Sequence, residues 1–108
     1  MSAMFAFEVG ELFMKSPTFG SVIHDLLERS SDPADRQVCQ DALDLNCLWV
    51  DKIEAARKCA MIVNLSDVLK AHLCSGIHSG NEVAMVEIEA AVNELARRYP
   101  ECFAEQRI

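Results

Sequence analysis

Between Ala34 and Ser75 the chain contains neither glycine nor proline, so no residue in this stretch forces the backbone out of a helix. From Pro33 to about Asn64, Val38, Ala42, Leu45, Trp49, Ile53, Ala56, Ala60 and Val63 recur at steps of three or four, the spacing of one helix face. Cys39, Leu43, Val50 and Met61 widen that face, while Gln37, Gln40, Asp41, Asp44, Asp51, Glu54 and Lys58 gather opposite. Asp32 is placed to cap the start by accepting from the Asp35 N–H, and Pro33 suits a first helical turn. The pattern predicts one long helix around which the rest is arranged. At ~1.5 Å per residue it would run roughly 48 Å, longer than the roughly 34 Å diameter of a compact chain of this size. The helix must therefore overhang, bend or be covered by a second copy. Asn64-Leu65-Ser66-Asp67 is the expected end, with Ser66 capping a short helix from Asp67 to Cys74.

Residues 3 to 14 read as a helix with Phe5, Val9, Leu12 and Phe13 on one side and Ala3, Phe7 and Met14 almost opposite. Such a helix shows apolar surface on two sides, and one small domain covers only one of them. Ser16-Pro17 marks the start of a second helix to about Arg29, with Phe19, Val22, Ile23, Leu26 and Leu27 facing the core and His24 exposed. After the loop Ser75-Gly76-Ile77-His78-Ser79-Gly80, Ser79 and Glu82 have capping-box spacing for a last helix to Arg98 or Tyr99. Its main stripe is Ala84, Met85, Ile88, Ala91, Val92, Leu95 and Tyr99, and Val83, Val86 and Ala90 form a second apolar patch behind it. Beyond it, the tail from Glu101 to Ile108 either folds Phe103 back onto the domain or frays. The expected fold is all-α, four to five helices around one long central helix in a single domain spanning 1–108, assembled as a homodimer.

A composition of 51% apolar and 25% charged residues describes a globular chain. The net charge of −7, from 17 acids and 10 bases, argues against direct phosphate or nucleic-acid binding, since the bases cluster only as Arg57-Lys58 and Arg97-Arg98. The apolar start MSAMFAFEVGELFMK lacks a basic region and is interrupted by Glu8 and Glu11, unlike a signal peptide. No run has the length of a membrane span. Five cysteines without a C-x-x-C pair suggest reduced thiols in a cytoplasmic protein.

Catalytic and cofactor fingerprints are absent: there is no G-x-G-x-x-G, Walker loop, nucleophile elbow or H-E-x-x-H. His72, Cys74 and His78 are the one segment with zinc-ligating atoms, but a further ligand would have to come from a distant residue such as Cys102. Asp41, Asp44 and Asp51 share a helix face as solvated acids rather than tuned catalytic carboxylates. The expectation is thus no enzyme, no cofactor and no metal, but a protein-binding domain. Its candidate contacts are Met4, Phe5, Phe7, Val9, Leu12 and Phe13 of the first helix, with Val83, Val86 and Ala90 of the last.

The whole-length pattern, from MSAMFAFEVGELFM through SDPADRQVCQDALDLNCLWVDKIEAARK to AVNELARRYP, resembles the small quorum-sensing anti-activators. That resemblance implies an all-helical dimer that binds the ligand-binding domain of a LuxR-type transcription activator, disrupts the activator's own dimer and so prevents DNA binding. The alternative is a phage anti-defence or toxin-immunity inhibitor, in which Asp41, Asp44, Asp51 and Glu54 mimic the phosphates of a nucleic acid. A third class, a metal or thiol sensor, would rest on Cys74 and its histidine neighbours.

Overall fold

The computed structural model describes residues 2–104 and shows an α+β fold, a three-stranded sheet with helices packed on one side. Strand β1 (Ser2–Ala6) and strand β2 (Glu11–Lys15) form an antiparallel hairpin, followed by helices α1 (Ser16–Arg29) and α2 (Pro33–Leu45). Strand β3 (Cys47–Trp49) then pairs in parallel with β1, so the sheet order is β2-β1-β3. A 3₁₀ turn (Val50–Lys52) leads to α3 (Ala55–Cys74), α4 (Glu82–Arg98) and the short α5 (Pro100–Phe103).

The all-α expectation fails first at the N-terminus, where the predicted helix over 3–14 is the β1–β2 hairpin. Ala3, Phe5 and Phe7 alternate inward, and Ala3 and Phe5 pair with Met14 and Leu12 across the strands. Residues two apart share a strand face but lie nearly opposite on a helix. The two-sided apolar helix was therefore a period of two projected onto the wrong wheel. Gly10 makes the hairpin turn at φ +85°, a left-handed conformation that glycine adopts without a Cβ penalty, and the Phe7 N–H donates to its carbonyl at 3.0 Å.

The second failure is the long helix, which ends at Leu45. Asn46 is left-handed at φ 57°, and asparagine tolerates that conformation better than most residues. Its side-chain N–H donates to Ser16 Oγ at 2.8 Å, and its carbonyl accepts from the Met4 N–H at 3.1 Å. The break is thus held from both sides, by α1 and by β1. Cys47-Leu48-Trp49 follows as a strand, with Leu48 opposite Phe5 on the inner face. Splitting the helix also removes the excess length: the molecule measures 37 × 34 × 28 Å, and the 20 residues of α3 span about 30 Å. The expected break near Asn64 does not occur, because Leu65 and Ser66 are buried within a continuous α3.

Phe5 and Phe19 meet edge to face with centroids 5.2 Å apart, between the sheet and α1. Val22, Ile23 and Leu26 of α1 join Met61, Ile62, Leu65 and Leu69 of α3 and Ile88 and Leu95 of α4 in one core. Asp32 caps α2 as expected, though its carboxylate accepts from the Ala34 N–H at 2.8 Å, and Asn81 rather than Ser79 caps α4. Buried Asp35 of α2 pairs with Arg57 of α3 at 2.5 Å. Cys59 and Cys102 form a disulfide joining α3 to α5, in place of the five free thiols expected, and Phe103 packs against the core. The rest of the tail, 105–108, lies outside the described residues. None of the described helices is long and apolar enough to cross a membrane.

Candidate functional site

Of the nine residues proposed for protein contact, the structure sends some inward and leaves others out. Phe5 and Phe7 are core residues, because the inward side of β1 needs them. Phe7 packs on Tyr99 and carries the Arg98 guanidinium 4.3 Å from its ring centroid. Met4 and Leu12 are half-buried. Val9 at the hairpin tip and Phe13 on the outer side of β2 are exposed.

The α4 patch is on the surface as expected. Val86 is 68% and Val83 52% exposed, and Ala90 completes a stripe at i, i+3 and i+7 on a single helix face. Shallow grooves border it, one lined by Glu82, Val83, Val86 and Glu87, the other by Val86, Glu89, Ala90 and Asn93. Glu87 also fixes this face relative to the sheet, since its carboxylate accepts from the Lys15 N–H at 3.2 Å. At the other end of α4, Arg98 donates to the Val9 carbonyl at 2.6 Å. These two anchors run α4 along the edge strand β2, so the stripe lies beside the strand that carries exposed Phe13. Edge backbone is a template for foreign strands, and Glu87 occupies one of its donors. The arrangement is an apolar ridge between carboxylates, suited to contact with another protein.

The four acids proposed as a phosphate mimic do not share one helix. Asp41 and Asp44 remain on α2, where they accept from Gln37 and Gln40, whereas Asp51 lies in the 3₁₀ turn and Glu54 at the start of α3.

The one segment with zinc-ligating atoms, discounted above as a metal site, is built into a hydrogen-bonded chain. Cys102 is bonded to Cys59, and among the described residues Cys74 does not come together with His72 and His78 as a ligand cluster. His72 is buried on α3, with Nε2 2.6 Å from Asp25 Oδ2 of α1 and Nδ1 2.9 Å from His78 Nε2 in the loop before α4. The chain Asp25–His72–His78 is legible only after folding, because Asp25 and His72 are far apart in sequence. Beside it on α1, His24, Asp25 and Glu28 place their ligand atoms within 4.8 Å of one another. Burial, and to a lesser degree the neighbouring His72, hold the His78 pKa below its usual 6.5. Burial pushes the Cys39 thiol up to about 11, so that it behaves as a small apolar side chain rather than a nucleophile.

The cleft between α2 and the 3₁₀ turn holds about 210 Å³ and the one between the end of α1 and the start of α2 about 330 Å³, near or below the ~300 Å³ at which ligand sites begin, and neither includes a histidine. Comparison with family models, with curated proteins and with solved structures returns no match, so the chain's own geometry is what the functional reading stands on.

Proposed function

We propose that this chain is a protein-binding regulatory domain, acting by stoichiometric occupation of a partner surface and not by catalysis. The observation that carries the reading is the exposed Val83–Val86–Ala90 ridge flanked by Glu82, Glu87 and Glu89. Valines at helical spacing on a solvent face cost solubility without adding to the core, whereas at an interface they are anchors. The carboxylates select the occupant: a partner protein that presents an apolar segment with basic residues at its rim.

The resemblance to quorum-sensing anti-activators supplies the first bait, the ligand-binding domain of a LuxR-type activator, met in the cytoplasm. The all-helical architecture attached to that resemblance is not the fold of this chain, so the surface and not the resemblance carries the proposal. Inhibition would follow if the complex outcompetes the activator's own dimer interface.

The decisive experiment is calorimetric titration of that domain with the wild-type chain and with Val86→Lys. Val86→Lys should weaken binding about 30-fold or more, the effect of losing roughly 2 kcal/mol at an anchor, while leaving the thermal midpoint nearly unchanged because the residue is exposed. An unchanged affinity would reject the ridge as the contact.

A second reading is self-association, in which the exposed Val83–Val86–Ala90 stripe of one copy covers the same stripe of a second across a two-fold axis. Light scattering at rising concentration separates the two, because only self-association raises the mass of the isolated chain.

A further inference from the structure

The ring nitrogens of His72 and His78 are 2.9 Å apart while the ring centroids are 5.1 Å apart and the planes differ by 24°. Rings in face-to-face contact would bring their centres closer than this. The two imidazoles instead meet end to end, with Nδ1 of His72 and Nε2 of His78 directed at each other. A metal ion shared by these nitrogens would need lone pairs converging on a third point at ~2.0–2.1 Å from each. The observed geometry is that of one proton held between two bases.

Asp25 fixes which ring nitrogens carry protons. Its carboxylate can only accept, so His72 Nε2 carries hydrogen and Nδ1 becomes the variable position. In the neutral pair, His78 Nε2–H donates to the Nδ1 lone pair of His72. One added proton enters at His78 Nδ1, the shared proton shifts onto His72 Nδ1, and the imidazolium rests against the Asp25 carboxylate. The N–H···N contact survives with its direction reversed. A second proton puts N–H groups on both facing nitrogens and like charge on both rings, and the contact is lost.

We infer that Asp25, His72 and His78 form a latch that accommodates one shared proton and releases the loop from Ser75 to Asn81 when a second arrives. The loop is otherwise held lightly. Its ends are tied into the helices, the Ser75 N–H donating to Ala71 O at 2.9 Å and the Ala84 N–H to Asn81 Oδ1 at 3.1 Å. Between them the bonds are the turn contacts Ser79 N–H to Gly76 O at 3.0 Å and Asn81 N–H to His78 O at 2.9 Å, and the long contacts of Ser75 Oγ with His72 O and the Ile77 N–H, both 3.4 Å. Ile77 projects into solvent. The ionisable groups around the latch are Asp25, His24 and Glu28 on α1, His72 and the exposed Cys74 on α3, and His78 itself. Asp25 is the carboxylate bonded to the chain, whereas His24 and Glu28 pair with each other at 3.5 Å. The lowered His78 pKa has the sign the latch requires, since the closed loop resists the proton that opening admits. Apparent titration midpoints will belong to the pair and not to either ring.

The test is nuclear magnetic resonance of the whole chain between pH 8 and pH 5, following histidine side-chain nitrogens and backbone hydrogen-exchange protection factors. Above 6.5, the ring proton between His72 and His78 should be protected from exchange. As the pH falls below 6.5, loop protection at residues 75–81 should drop by up to about tenfold per pH unit, the factor for uptake of one proton, while protection in α1 and α3 persists. His78→Gln should abolish the pH dependence while keeping the loop protected. A glutamine amide does not titrate, yet it donates or accepts as His72 requires. Loop protection independent of pH in the wild type, or an unaltered pH dependence in His78→Gln, would overturn the latch. So would a change in either on adding EDTA, which would make the pair a metal site.

Discussion

Asn46 concentrates more consequence than any other single position outside the core. Its left-handed backbone ends α2, and its side chain and carbonyl reach α1 and β1. Two substitutions separate these roles. Asn46→Gly keeps the left-handed conformation open but deletes the bond to Ser16, and should lower stability by about 1 kcal/mol. Asn46→Ala loses the same bond and adds about 1–2 kcal/mol of backbone strain, so it should be clearly the worse of the two in urea titrations. Equal losses would mean that the backbone conformation is not what matters there. An asparagine inside an otherwise helical apolar pattern is weak evidence of a stop, because in isolation it also sits within helices at small cost. What decides it is Ser16 and Met4, neither of them near in sequence.

The helices α1 and α4 were legible from their stripes, and the α2 start from Asp32-Pro33, because local periodicity and capping carry that information. The two strands of the hairpin were not, since five apolar-rich residues on each side of a turn support either period, and Gly10 reads as a tolerated helix residue until its positive φ is seen. Strand β3 is three residues long, too short for any periodicity at all. Of the candidate contacts, Phe5 and Phe7 were misplaced by that same error of period, whereas Val83, Val86 and Ala90 lie together on the surface because α4 is a helix. At this scale the Cys59–Cys102 disulfide fastens α5, the shortest helix, to α3 across a sequence separation of 43. The chain-entropy treatment of such a loop gives about 4 kcal/mol. Cys59→Ser should therefore lower the thermal midpoint substantially under oxidising conditions and hardly at all in excess reductant. A similar loss in both would show that the thiols are not joined in solution.

For the molecule as a whole, the ionisable groups bracket stability on both sides of neutrality. His78 has a folded pKa below 6.5, so the unfolded chain takes up its proton first. Its contribution is complete above 6.5 and is lost as the pH falls through the folded value. Glu94, lowered by its bonds to Arg97 and Arg98, adds a further loss below 4.5 with the same sign. Cys39 acts at the alkaline end. With the folded thiol raised from 9.0 to about 11, the unfolded chain deprotonates first, and stability falls as the pH climbs from 9.0 toward 11. Denaturation midpoints plotted against pH should form a plateau between about 6.5 and 9 with shoulders on either side. Burial also raises the Cys47 thiol and the Tyr99 phenol, so Cys39→Ala should shrink the alkaline shoulder without abolishing it and leave the acid side unchanged, and an unaltered alkaline shoulder would assign it to those two groups.

The position of β1 in the middle of the sheet sets the order in which the chain can assemble. Its antiparallel partner β2 follows within a few residues, so half of the sheet closes locally and early. Its parallel partner β3 arrives only after α1 and α2 have been traversed, and that pairing must wait until the entropy of closing the intervening loop has been met by the helices packing on each other. Until Asn46 turns the backbone toward Met4, one edge of the central strand stands open. That interval is when the hydrophobic first residues of this chain are most exposed to pairing with the wrong strand.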